Sequence, residues 1–155
     1  MIEINGFEYK CWHEVGHAVT CLHLGGNVEF IEFLEDENHK GSARARCETT
    51  PQIRPYVLCG GFATEYVLLK LGLLEKIDEQ EFIQVVFKNA SIDREMFFGK
   101  TENDQFTKDE DTEFMYFSID NVVPIISKLL PKMRKIVDTF QDNKKIDGTT
   151  INKIL

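Results

Sequence analysis

Apolar residues recur at helical spacing through residues 8–24, where Cys11, Val15, Ala18, Val19 and Leu22 form one stripe. Gly25-Gly26 follows, and glycine takes the left-handed position that ends a helix without steric cost. The pattern then shortens. Residues 27–35 set Val28, Phe30 and Phe33 or Leu34 among acidic positions and predict a strand with one side on the core. A polar turn over residues 36–41 leads to residues 42–49, where Ala43, Ala45 and Cys47 alternate with Arg44, Arg46 and Glu48. That period of two predicts a second, more exposed strand and a hairpin. Residues 53–73 read as one long apolar helix with Gly60, Gly61 and Ala63 in its middle. Small residues there predict close approach of another helix, for which the first helix, with Gly16, is the natural partner.

The second half is helical in pattern. Two apolar patches surround residues 82–87 and 96–98. Residues 99–104 read as a turn, with Asn103 or Asp104 as a helix cap, and residues 107–113 as a loop or an exposed helical turn. Residues 114–140 are helical, with breaks or kinks at Pro124 and Pro131. A short last helix starts near Asp147-Gly148-Thr149, capped at Thr149 or Thr150. The expected fold is mainly α (α+β): one domain over residues 1–155, with a small β hairpin or sheet beside the first helix.

Composition narrows the partners. The net charge is −8, and residues 75–120 carry 13 acidic against 5 basic side chains, which accounts for the whole excess. With no basic stripe, nucleic-acid binding is not expected. The apolar run at residues 56–74 is interrupted by Glu65 and Lys70, so it reads as a buried helix rather than a membrane span. Cys11, Cys21, Cys47 and Cys59 form no Cys-x-x-Cys pair, and the first residues have no basic, signal-like region. Reduced cysteines and a cytoplasmic location are the expectation.

The chemistry lies in the first helix. His13-Glu14-Val15-Gly16-His17 has the form His-Glu-x-x-His. Residues four apart share one helix face, so His13 and His17 can bind one metal ion while Glu14 reaches a water beside it. Neutral imidazole suits Zn²⁺, and a catalytic zinc takes three protein ligands. Glu65, a carboxylate in an apolar run, would be a ligand or hydrogen-bond a ligating histidine, against the plainer reading of a solvated residue on the helix's outer face. His23 and His39 read as surface histidines. The edge formed by Ser42, Ala43, Arg44 and Ala45 is a candidate binding strand for an extended peptide, against the plainer reading of a structural hairpin.

These motifs, taken in order, resemble the peptidase domain of the FtsH-type zinc metalloproteases. HEVGHAV with Leu24-Gly25-Gly26 is similar to that family's HEAGHA-like helix, and Gly60-Gly61-Phe62-Ala63-Thr64-Glu65 to its GGRAAEE helix, with Phe62 in place of Arg and Thr64 in place of Ala. Residues 145–155 resemble its closing helix. The resemblance implies a zinc-dependent endopeptidase with Glu14 as general base, acting on unfolded or extended polypeptide. It also implies an aspartate as third ligand, at the start of a later helix. Asp104, in Glu102-Asn103-Asp104, most resembles that segment; Asp93, at a more family-like distance, and Glu65 are the alternatives. The chain has no Gly-x-x-x-x-Gly-Lys-[Ser/Thr] stretch and no membrane helix, so it reads as a stand-alone peptidase domain that hydrolyses without ATP. A separate partner delivering substrate and an oligomeric state both fit this reading. The competing reading is a catalytically silent metal-binding module of the same fold, serving regulation or partner binding.

Overall fold

A computed structural model describes residues 1–34, 42–101 and 105–155. The chain runs α1 (Phe7–His23), β1 (Asn27–Leu34), β2 (Ser42–Glu48), α2 (Arg54–Leu58), α3 (Gly60–Lys70), α4 (Glu79–Asn89), α5 (Ser91–Phe98), α6 (Lys108–Asn121), α7 (Val123–Asn143), β3 (Lys145–Asp147) and α8 (Gly148–Ile154). It is a mainly helical α+β fold with a small antiparallel sheet, as its pattern predicts.

The first helix is the centre of the molecule. It packs on α3 and α7 and against the sheet. Cys11, Val15, Ala18, Val19 and Cys21 are fully buried, and Trp12 and Tyr9 nearly so. Burying one such aliphatic side chain stabilises by about 1.5–3 kcal/mol, so a helix with apolar residues on several faces is fixed firmly in place. Its end is chemically defined. Gly25 has φ +87, its N–H donates to the Leu22 carbonyl, and the Gly26 N–H donates to the Cys21 carbonyl. This paired closure satisfies carbonyls that the helix would otherwise leave open.

The expected contact between small residues is present. A Cβ on Gly16 would lie 2.1 Å from Thr64 Oγ1 and 2.4 Å from the Gly60 carbonyl oxygen. One on Gly60 would lie 2.6 Å from the Gly16 carbonyl oxygen. Helices α1 and α3 therefore meet backbone to backbone, which no larger residue at either position allows.

Two local expectations are corrected, and two that left alternatives open are decided. The helix anticipated over residues 53–73 is two helices, broken at Cys59 (φ −85, ψ −4), where Cys59 N–H donates to the Tyr56 carbonyl in a tighter turn. The break turns the chain so that α3 can lie against α1. Of the two readings of residues 107–113, the exposed helical turn holds: Thr107 caps α6 in a full capping box with Glu110. The break expected at Pro124 is present, with α6 ending at Asn121 and Pro124 in the first turn of α7, where its missing N–H costs nothing; Pro131 does not end that helix and lies inside it. The last helix is capped by Asp147, whose side chain accepts from Thr150 N–H, rather than by a threonine. Asn103 and Asp104, the other anticipated caps, lie outside the described residues, as does the turn at residues 36–41.

The hairpin of β1 and β2 is antiparallel as expected, and β3 adds to the other side of β1, giving the order β2-β1-β3. That leaves β2 as a sheet edge among the described residues. Its burial alternates, with Ala43, Ala45 and Cys47 half-buried and Arg44 and Arg46 exposed. Among the described residues no helix is long and apolar enough to cross a membrane.

Candidate metal centre

One turn of α1 separates His13 from His17, and their Nε2 atoms lie 3.2 Å apart. Asp93, in the first turn of α5, places Oδ2 at 3.2 Å from His17 Nε2 and 3.5 Å from His13 Nε2. For a tetrahedral zinc with ligands at about 2.0–2.1 Å, neighbouring ligand atoms stand about 3.3–3.4 Å apart. The three observed separations bracket that edge length. These side chains form the one group of three possible metal ligands among the described residues.

Proton bookkeeping points the same way. His17 Nδ1 is 2.7 Å from the Val57 carbonyl oxygen, which can only accept, so Nδ1 carries the hydrogen. His13 Nδ1 faces Glu65 Oε2 at 3.2 Å, and Glu65 Oε1 accepts from Asn89 Nδ2 at 2.7 Å. In the neutral rings both Nε2 atoms are then bare lone pairs, and both face a carboxylate oxygen. Three acceptors converging at one point repel unless a cation joins them. One proton bridges a single pair; a metal ion satisfies all three. The outer partners are of the kind that orient ligating histidines: a backbone carbonyl for one ring, a buried carboxylate for the other. The residues therefore fit a metal-ion site.

Each element has a reason to present its group. The break at Cys59 brings the Val57 carbonyl to His17. Gly61 leaves room for the His13 ring, which would lie 2.3 Å from a Cβ at that position. Helix α5 begins directly after α4 at Ala90, so Asp93 falls where the helix dipole favours a negative charge. Arg94 then anchors α5 by bonding Asp111 Oδ1 at 2.5 Å and the Phe87 carbonyl at 2.8 Å.

The electrostatics follow from burial and pairing. Burial opposes charge on His13 and His17, but the neighbouring carboxylates outweigh it and raise both rings above their ordinary 6.5. Burial alone would raise Asp93; the two histidines overcome it and hold its carboxyl well below the usual carboxylate range. Glu14 is raised, chiefly by burial, against the opposing pull of the histidines. Its Oε2 accepts from the Ala45 N–H of β2 at 2.9 Å. This amide is turned away from β1, and by the period of two Ala43 and Cys47 share that free edge.

A cavity of about 590 Å³ opens over the cluster, lined by His13, Glu14, His17 and Asp93, by Ala43 to Ala45 and Cys47 of β2, by Arg54, Val57 and Leu58 of α2, and by Ile92 and Met96 of α5. The structure thus unites the two histidines, Glu14, the β2 edge and Asp93. Glu65 stands behind His13 and does not reach the convergence point. Ser42 lies at the start of β2, lining an adjoining cavity with Ala43. Asp104 and His39 lie outside the described residues, and His23 is exposed. Sequence reasoning missed Val57, Asn89 and the Ala45 amide, because two of these act through backbone atoms and leave no residue-type signal. The chain matches no protein-family model, and no curated protein matches it.

Proposed function

We propose that the chain is a zinc-dependent metalloendopeptidase that hydrolyses peptide bonds in unfolded or extended polypeptide. The observation that carries this reading is the convergence of three possible ligand atoms with a separate carboxylate, Glu14, on the wall of the same cavity. A purely structural site has no need of the fourth group. His13, His17 and Asp93 would hold the ion. When bound, zinc supplies Lewis acidity, acidifying water from about 15.7 toward about 7 and polarising a carbonyl. Glu14 takes the proton of the attacking water and returns it to the departing amine nitrogen. An extended substrate would add to the free edge of β2, with residues 42–45 alongside the scissile bond. The order of motifs supports kinship with the FtsH-type peptidase domain. Delivery of substrate by a separate partner and assembly into an oligomer belong to the same reading.

One observation favours the silent, partner-binding alternative: Glu14 is already bonded to the β2 amide. The two readings part in one experiment. Zinc-loaded protein should cleave casein, and Glu14→Gln should keep about one zinc per chain while cleavage falls by a factor of about 10² or more. Zinc-loaded wild type that cleaves no unfolded substrate would overturn the peptidase reading in favour of the silent module.

A further inference from the structure

The chain has five arginines, and three are engaged. Arg94 bonds Asp111 and the Phe87 carbonyl, Arg134 pairs with Glu8 and Asp138, and Arg46 lies over the Phe30 ring. The remaining two, Arg44 and Arg54, are exposed and have no ion-pair or ring partner among the described residues. Both line the cavity over the metal cluster. This is unexpected in a chain of net charge −8, where acidic side chains are plentiful.

Their places in the fold matter. Arg44 precedes Ala45, whose amide meets Glu14 on the β2 edge. Arg54 opens α2, one turn before Val57, whose carbonyl holds His17. The two arginines therefore line one cavity from two different elements. The carboxylates around them have other partners: Asp93 both histidines, Glu14 the Ala45 amide, Glu65 His13 and Asn89, and Glu32, opposite Arg44 in the β1–β2 register, Lys145 at 4.0 Å. Across the cavity α5 presents Ile92 and Met96, which are 70% and 47% exposed and carry no charge.

We infer that the cleft selects acidic polypeptide, with an Asp or Glu side chain within a few residues of the scissile bond engaged by Arg44 and Arg54. This deepens the peptidase reading and rests on it for the cleavage, though not for the binding. Guanidinium is suited to the task, since it stays charged and presents a planar fork to a carboxylate. The overall charge of the molecule works against an acidic ligand at long range, but salt screens that repulsion beyond about 10 Å, while contacts inside the cleft are screened less.

The test uses zinc-loaded full-length Glu14→Gln protein and three peptides of equal length, alike except for Asp, Asn or Lys at the flanking positions. Fluorescence anisotropy should show the Asp peptide binding about tenfold tighter than the Asn peptide, the gain of one charge-assisted contact. The advantage should shrink as salt rises and vanish in the background of Arg44→Ala with Arg54→Ala. Both positions are exposed, so folding and zinc content should be retained. Equal or weaker binding of the Asp peptide, or a preference that survives the double substitution, overturns the inference. Cleavage by wild type separates the two claims. Asp-selective binding without cleavage upholds the inference and removes the peptidase reading; cleavage indifferent to flanking charge does the reverse.

Discussion

The two walls of the metal cavity are built by different physics. The histidine wall is α1 pressed onto α3, backbone against backbone at Gly16 and Gly60, with fully buried side chains on either side. The aspartate wall is α5, eight residues long, whose one buried side chain is Arg94. It is held by an ion pair, a carbonyl contact and aromatic edges such as Phe97 on Phe114, while Ile92 and Met96 face outward. Close packing tolerates no change in volume. Polar anchoring tolerates adjustment and fails locally. Two ligands are thus part of the core, and the third is brought to them.

The largest effect should come from striking the packed wall. Gly16→Val places methyl groups where Thr64 and the Gly60 carbonyl already sit. It should cost about 3 kcal/mol or more, the upper range for overpacking, and thermal unfolding should show a large drop in Tm or no folded protein. A Gly16→Val protein with wild-type Tm would show that the contact is looser than the geometry indicates. The second effect is on the other wall. Asp93→Ala should lower the metal-free Tm by less than Gly16→Val does, through loss of its pairing with the two histidines, and reduce zinc affinity about 100-fold or more, measured by competition with a chelator. If it unfolds the metal-free protein instead, α5 belongs to the core and the contrast fails.

The smallest and most diagnostic effect is on pH dependence. In metal-free protein Asp93 lies below its ordinary 3.8, so its contribution is present above that value and lost as pH falls through the depressed one. His13 and His17 lie above 6.5, so their contribution is present below 6.5 and lost as pH rises through the raised values. Metal-free protein should therefore lose stability from mildly acidic to alkaline pH. Zinc requires deprotonated ligands, so its added stabilisation should grow over the same interval. Urea midpoints with zinc and with chelator should diverge as pH rises; parallel curves would mean that these side chains do not share an ion.

The same division explains what the sequence revealed. Helix α1, its glycine stop, the hairpin and the glycine contact were legible because each leaves a local signature: a 3.6-residue stripe, a Gly-Gly pair, a period of two. His13, Glu14 and His17 were legible because one helix fixes their spacing. The third candidate ligand comes from tertiary docking of a separate helix, and nothing local distinguishes Asp93 from the other twelve acidic residues of residues 75–120. Resemblance favoured Asp104, outside the described residues, and kept Asp93 as an alternative. Asp93 is the one that meets both histidines. The break at Cys59 was hidden because an uninterrupted apolar run looks the same whether it forms one helix or two. Strand β3 was hidden because three residues are too few to show a period.

Because His17 and Asp93 are far apart in the chain, a shared ion is also a cross-link. Fluctuations that swing α5 away from α1 must break a coordinate bond, and ligand loss and local opening become one event. The free energy of that opening then depends on the concentration of free metal relative to its dissociation constant, rising by about 2.7 kcal/mol when the metal is at 100 times that constant. The far wall of the cleft would be rigid in metal-replete surroundings and loose in depleted ones, and the supply of the ion would govern how long the cleft keeps its shape.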